Sequence, residues 1–300
     1  MPRSGGTPIL ESVSDTALLV AHHRAMESAR PDALFHDPYA DRLAGERGEE
    51  IAHRLRWGKR MAWSTITRTV LIDEIISRLV GEGLDTVLNL AAGLDSRPFR
   101  LPLPPTLRWI EMDLPGISAA KAELMKDDKP CCQIERVSVN LANPTERRQA
   151  LDAQMGKTKK ALVLTEGLLV YLNEATVKEL ARDLHERPSI HYWVTDVATP
   201  LVVKRMHRWW SRHLKAANAQ VQFAPAERTP FFESLGWREK EFHSLFENSV
   251  RLNRPTPFLW LFNLQMKLFP ERTKKQMVKW NAGVVLLERE FSGEPAARRP

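Results

Sequence analysis

The feature that most constrains this chain is the run from Asp85 to Arg100, DTVLNLAAGLDSRPFR. Thr86 to Leu90 are mostly branched and apolar, the pattern of a strand covered on both faces. They stop at Ala91-Ala92-Gly93, where small side chains let the backbone come close to another group. Gly93 can take a positive φ, so the chain can turn there and offer main-chain N–H groups to a ligand. A second short apolar run, Trp109 to Asp113, follows and ends in an acid. A small-residue turn after one parallel strand, with a carboxylate at the tip of the next, is the arrangement that holds a ribose-bearing cofactor. The full G-x-G-x-x-G is missing, so Ala-Ala-Gly alone is equally consistent with an ordinary strand-to-loop turn; the spaced Asp113 favours a nucleotide-type site.

The chain's 300 residues can bury a sizeable core as one large α/β domain or two small ones. With 43% apolar and 27% charged residues it has the composition of a soluble globular protein. No secretory h-region stands near the N-terminus, and no apolar run reaches the ~18 residues that span a bilayer, so a cytoplasmic location is expected. Cys131 and Cys132 are adjacent and supply neither a disulfide framework nor metal-ligand spacing, which makes them packing residues. Much of the net charge of +7 is local: Lys204, Arg205, Arg208, Arg212 and Lys215 lie between Leu201 and Lys215 without an acid among them. That is a basic helix rather than a nucleic-acid-binding protein, since no nucleic-acid motif accompanies it.

Along the chain, residues 1–8 read as a frayed end and Ser14 to Ala29 as a helix. Asp37-Pro38 opens a short segment running to a Gly45–Gly48 loop. Ile51 to Val80 reads as one or two helices, with Gly58 a break and Gly81 a stop. The period then changes. Strands are expected at Thr86 to Leu90, Arg108 to Met112, Glu135 to Val139, Ala161 to Thr165 and His191 to Thr195, with helices between most of them, which implies a parallel sheet covered on both faces. Ligands of such sheets sit beyond the carboxyl ends of the strands, where Gly93, Asp113, Asn140, Glu166 and Asp196 fall. A basic aromatic helix from Pro200 to Ala219, a helix from Thr229 to Leu235 and strands at Arg238 to His243 and Gly283 to Glu290 follow, the two strands forming an antiparallel edge. The expected layout is an N-terminal helical cap over 1–80 and an α/β unit over 81–300 with lid insertions near 197–230 and 250–280, together one compact unit with a disordered tail after Ser292.

Three runs in order, Asn89 to Arg97 (NLAAGLDSR), Glu111 to Pro115 (EMDLP) and Thr165 to Leu172 (TEGLLVYL), resemble the leucine carboxyl methyltransferase family and its tetracenomycin-type polyketide O-methyltransferase branch. The stretches Ser14 to Ala25 and Asp37 to Ala40 are similar to that branch as well, so the likeness covers about residues 10–290. The resemblance implies a class I, Rossmann-like methyltransferase sheet of seven mostly parallel strands, S-adenosylmethionine as cofactor and O-methylation of a small acceptor. Carried over by motif, Arg68 lies where the family binds the cofactor's carboxylate, and Ala91, Gly93 and Asp95 lie in the loop under its methionine. Asp113 matches the ribose-binding acid, Asn140-Leu141 an Asp-Leu pair at the adenine, and Glu166 the acid near the methionine end. Ala91 replaces the first glycine of the usual pair, and Asn140 an aspartate whose acceptor role its amide oxygen can keep.

These residue types suit such a ligand. Arg68 can fork onto a carboxylate and Asp113 can accept from two hydroxyls, while a solvated helix charge and a helix cap are their respective structural alternatives. Methyl transfer asks the protein mainly for alignment. A carboxylate acceptor is already ionised, whereas a phenol, with a pKa near ~10, gains from a base. His22, His23, His191 and Tyr171 are the candidates, and none is singled out as catalytic. Tyr171 with Arg205, Arg208 and Trp209 forms the expected acceptor wall. The expected partner is a small metabolite, with neither nucleic acid nor membrane nor metal. A nicotinamide-dependent oxidoreductase and a catalytically degenerate protein on the same scaffold remain open on the residues alone.

Overall fold

In the computed structural model, which describes residues 14–55, 58–204, 206–208, 220–225, 227–257 and 282–290, the chain begins as helices. Helix α1 (Ser14–Ser28) packs on α2 (Ala40–Arg54), and a 3-10 turn (Lys59–Met61) leads into α3 (Ala62–Gly81). Gly58 and Gly81 mark the expected break and stop. The expected Gly45–Gly48 loop is instead part of α2. Gly45, at φ 55°, kinks the helix without ending it. At Gly48 a Cβ would sit 2.8 Å from the Leu18 carbonyl oxygen, so a side-chain-free position is what lets α2 cross α1 so closely.

Seven strands follow where the change of period places them: β1 (Thr86–Leu90), β2 (Arg108–Asp113), β3 (Gln133–Ser138), β4 (Ala161–Thr165), β5 (Ile190–Val197), β6 (Trp237–Ser244) and β7 (Gly283–Arg289). Helices α4 (Arg97–Arg100), α5 (Pro115–Leu124), α6 (Pro144–Met155) and α7 (Glu174–His185) cross between the first five, with a 3-10 turn (Leu169–Tyr171) before α7; α8 (Arg228–Glu233) precedes β6 and α9 (Leu245–Arg251) follows it. The order is β3-β2-β1-β4-β5-β7-β6. The first five pair in parallel, and β7 runs antiparallel between β5 and β6. Two helical stretches, 200–204 and 206–208, follow β5.

Because side chains alternate along each strand, the sheet supports two separate cores. Val87, Trp109, Leu162, Leu164, Val194 and Leu286 face α3. Leu88, Ile110, Val163, Trp193 and Val285 face α6, α7 and α8. Trp193 anchors this second core: its ring meets Phe232 and Trp237 edge-on at 5.4 and 5.5 Å, and its indole N–H donates to Thr165 Oγ1 at 2.8 Å. Strand β3 begins two residues earlier than expected and alternates between exposed and half-buried positions, as an edge strand does. Among the described residues no helix is long and apolar enough to cross a membrane.

Candidate functional site

At the carboxyl ends of β1 and β2 the backbone closes a tight cradle. Ala91 takes φ 55° and donates its N–H to the Met112 carbonyl at 2.7 Å. Two residues on, Gly93 takes φ 49° and donates to Asp113 Oδ2 at 2.6 Å. The other carboxylate oxygen, Oδ1, accepts from the Leu114 N–H at 2.7 Å. Asp113 therefore does not cap α5, whose first turn receives no side-chain cap. Each of its oxygens holds one backbone N–H and keeps a further lone pair for a ligand. Burial, reinforced by Glu111, pushes the Asp113 carboxyl above the usual range against the pull of these two N–H groups. An acid with spare acceptor capacity in a half-desolvated place suits a pair of hydroxyls.

The tips of β4 and β5 carry the second half of the site. Glu166, directly after β4, receives Arg68 Nε on Oε1 at 2.8 Å and Arg97 Nη1 on Oε2 at 2.7 Å. Arg68 also donates through Nη1 to Asp196 Oδ2 at 2.9 Å, and Asp196 Oδ1 accepts the Gly167 N–H at 2.6 Å. Arg68 is thus no solvated helix charge, but neither is its fork open: of its three nitrogens only Nη2 has no hydrogen-bond partner among the described residues. Protein carboxylates take Nε and one N–H of Nη1, which fixes the guanidinium and leaves both N–H groups of Nη2 without a partner among the described residues. Gly167, at φ 67°, faces it, since a Cβ there would lie 3.7 Å from Nη1 and 3.8 Å from Nη2. Burial works against charge on both partners, yet Asp196 and Glu166 hold the Arg68 pKa up, while Arg97 and Arg68 hold that of Glu166 down.

The ion pairs continue inward. Arg97 reaches Asp95 Oδ2 and Asp73, Asp73 binds Arg100, and Asp37 binds Arg24, which ends on the Leu94 carbonyl oxygen. Asp95 lies within this network rather than free in the loop: Oδ1 takes the Arg97 backbone N–H and Oδ2 takes Asn89 Nδ2 as well as the guanidinium. Asn140 stands exposed beyond β3, its Oδ1 accepting the Ala142 N–H at 3.1 Å and retaining one lone pair, and the Leu141 carbonyl oxygen accepts from Arg147. Tyr171, in the 3-10 turn after Gly167, hydrogen-bonds the Thr16 side chain of α1, and burial raises its hydroxyl pKa.

The structure brings Arg68, Ala91, Gly93, Asp95, Asp113, Glu166 and Tyr171 to one end of the sheet, with Asn140 and Leu141 at its β3 margin. Asp196, expected at this end of the strands, and Arg97 are in direct contact with them. Asp196 carried a signal, an acid at a strand tip. Arg97 closed the first family-like run but carried no signal of its contacts to Asp73 and Glu166, which lie 24 and 69 residues away. Arg208 is exposed on the 206–208 helical stretch, while Arg205, Trp209, Trp210 and the Phe258–Phe262 run lie outside the described residues. Of the histidines, His23 bridges Thr65 and the Gly58 carbonyl oxygen, burial holding its pKa down at about 4, and His191 sits at the opposite end of β5 from Asp196. Burial also lowers His22, whose Nε2 is enclosed without a partner. Cys131 and Cys132 are unbridged, and burial pushes Cys132 up to about 12, as a packing thiol requires.

The arrangement fits a ligand with hydroxyls at one end and an amino-acid group at the other. Asp113 has lone pairs at the β2 tip, Nη2 of Arg68 has a free donor near the β4 tip, and the intervening loops present Gly93 and Gly167, where side chains would narrow the floor.

Comparison with known proteins agrees with this geometry. The family model for leucine carboxyl methyltransferase matches residues 17–185. A Streptomyces coelicolor relative named for S-adenosyl-L-methionine-dependent methyltransferase activity is 31% identical over 252 residues, covering 80% of this chain and 88% of its own. A Frankia alni relative of the same name is 30% identical over 253 residues, covering 80% and 87%. In three dimensions the chain is similar to a DUF574 family protein from Streptomyces avermitilis, with TM-score 0.58, 12% identity and coverage of 91% and 97%. It is likewise similar to a protein from Thermobifida fusca described as a methyltransferase, with TM-score 0.58, 12% identity and coverage of 94% and 96%. These structures share the fold.

Proposed function

Because the chain belongs to the leucine carboxyl methyltransferase family, we propose that this S-adenosylmethionine-dependent methyltransferase methylates an oxygen, a carboxylate or phenolic hydroxyl, of a small metabolite, with a polyketide-like acceptor among the candidates. The observation that carries the site assignment is that Asp113 at the β2 tip and Arg68, held from α3 at the β4 and β5 tips, stand on either side of the β1 loop, each fixed by the protein and each keeping hydrogen-bonding capacity unused among the described residues.

Bound S-adenosylmethionine supplies a methyl group on a sulfonium, which leaves as a neutral thioether. Arg68 would hold the carboxylate of the amino-acid end through Nη2, since its Nε and Nη1 are immobilised by Glu166 and Asp196. The carboxylate of Glu166, kept ionised by its two arginines, would supply anionic charge for the ammonium of the same end. Asp113 would accept from the ribose hydroxyls, so these residues would fix the cofactor at both ends and supply the alignment that methyl transfer needs. Asn140 offers its remaining lone pair to the adenine amine, and the Leu141 side chain, half-buried, lies on the same margin.

A carboxylate acceptor is favoured over a phenol. The described groups at the strand tips are carboxylates paired with arginines or backbone, the arginines themselves, and Tyr171, whose hydroxyl stays protonated. None of these removes a phenolic proton efficiently at neutral pH, whereas a carboxylate needs no such help. Titration calorimetry with S-adenosylhomocysteine tests the cofactor site: binding at tens of micromolar is expected, and no heat there removes the assignment. Transfer of labelled methyl to a panel of acids and phenols tests the acceptor. Base-labile products releasing methanol support the ester, and base-stable products alone refute the carboxylate preference.

A further inference from the structure

We propose that Arg97 is the positioning residue that holds the cofactor-binding loops in register, by joining α3, the loop after β1 and the tip of β4 through one guanidinium. Its side chain is 3% exposed. Nε donates to Asp73 Oδ1 on α3 at 2.6 Å, and Nη1 is shared between Asp95 Oδ2 at 2.8 Å and Glu166 Oε2 at 2.7 Å. The backbone N–H of Arg97 also donates to Asp95 Oδ1 at 2.9 Å, so Asp95 is clasped from two sides two residues after Gly93. On α3, Asp73 lies five residues beyond Arg68. Arg97 and Arg68 thus share Glu166 between them, each taking one oxygen.

This geometry asks for a fork. Three carboxylates approach from different directions, and a planar guanidinium meets them with directed donors, whereas an ammonium has the charge without the reach. Asp73 would also be left with Arg100 alone if Arg97 were gone. Buried ion pairs of this kind contribute little net stability, but they fix geometry, since removing one partner strands the others. The consequence for Glu166 is specific. The groups facing it are Arg97 from α4, Arg68 from α3 and Asp95 from the β1 loop. Without Arg97 it keeps one cation and one like charge, and its carboxyl moves up toward the neutral range.

The inference rests on the cofactor reading given above, and wild-type binding of S-adenosylhomocysteine separates the two. The experiment titrates that ligand into wild type, Arg97→Lys and Arg97→Gln between pH 6 and 9, with thermal unfolding measured alongside. Wild type supplies the reference profile, which includes the titration of the ligand's own ammonium toward pH 9, and each variant is compared with it at every pH. Arg97→Gln should bind roughly 10- to 100-fold more weakly than wild type, the span seen for outer-shell partners of metal-ligating side chains, with the larger deficit at pH 6, where Glu166 is the more protonated. Arg97→Lys should fall between the two. A merely structural arginine would lower the unfolding temperature and leave the ratio of variant to wild-type affinity the same at every pH. If Arg97→Gln folds and binds within about twofold of wild type at every pH, the inference is overturned while the cofactor reading stands. Should that variant fail to fold, Asp73→Asn decides: weaker binding supports the inference and unchanged binding overturns it. If wild type itself takes up no ligand, both readings fall.

Discussion

Replacing Asp113 by Asn tests whether this carboxylate serves a ligand or only its own backbone. In the fold it accepts two short N–H bonds, 2.6 Å from Gly93 and 2.7 Å from Leu114. Asn has one acceptor oxygen, so its amide NH2 must face one of those N–H groups. Hydrogen bonds to a charged group contribute about 1.5–3 kcal/mol each and an unsatisfied buried donor costs about 1–3 kcal/mol, so a loss of about 1–3 kcal/mol in stability is expected. At about 2–4 °C per kcal/mol for a domain near this size, the unfolding temperature should drop several degrees. Ligand binding loses separately the charge-assisted bond to a ribose hydroxyl, again about 1.5–3 kcal/mol, which corresponds to roughly 10- to 150-fold in Kd. Calorimetry with S-adenosylhomocysteine, well below the variant's unfolding temperature, measures that second effect on its own. A variant that unfolds several degrees early yet binds within about threefold of wild type would show that Asp113 only ties down the Gly93 turn, and the ribose assignment would be wrong.

Other outcomes follow from single features of the structure. Ala91→Gly relieves a left-handed backbone that costs an L-residue about 1–2 kcal/mol, offset in part by the greater freedom of unfolded glycine, so a net gain of about 0.5–1 kcal/mol is expected in urea unfolding; a lower midpoint would contradict it. His23 binds its proton at about 4 in the fold against about 6.5 when unfolded, so between these values the unfolded chain holds more protons and stability falls as the pH is lowered. The full loss is at most about 3 kcal/mol near pH 4, and His23→Gln should flatten part of that slope; an unchanged slope would locate the sensitivity elsewhere. Trp193→Phe removes the indole bond to Thr165 and some packing against Phe232 and Trp237, which should cost about 1–3 kcal/mol without altering ligand affinity, as unfolding and binding measured on the same sample would reveal.

The sheet was legible because apolar runs such as Ala161 to Thr165 and Thr86 to Leu90, buried at every position, stand out from their helical surroundings. Edge strand β3 was harder to place, since Gln133 to Ser138 alternate in burial and carry charge, which a buried-strand pattern does not match. Gly45 and Gly48 were read as loop residues because glycine in sequence does not distinguish a turn from a kink within a helix, as at Gly45, or from a close helix crossing, as at Gly48, where Leu18 decides. At the site, Gly93 and Asp113 could be paired from their spacing because adjacent parallel strands convert sequence offset into proximity. Arg68 could be placed near the strand tips by motif, yet its embrace by Glu166 and Asp196, 98 and 128 residues away, depends on how α3 lies across those tips. The same holds for Arg97, whose role appears only when three elements converge on it.

Strand β7 carries a further consequence for how the chain acquires its shape. Its residues, 283–289, come after every other strand in translation, yet they fill an interior slot and supply the sheet partners of both β5 and β6. Until the ribosome has delivered them, β5 presents an open flank and β6 has no neighbour to zip against, so the nascent protein must wait with its apolar ribbon uncovered. A premature stop before Gly283 would therefore strip away not one strand but the footing of two, leaving a strong template for misassociation with other chains.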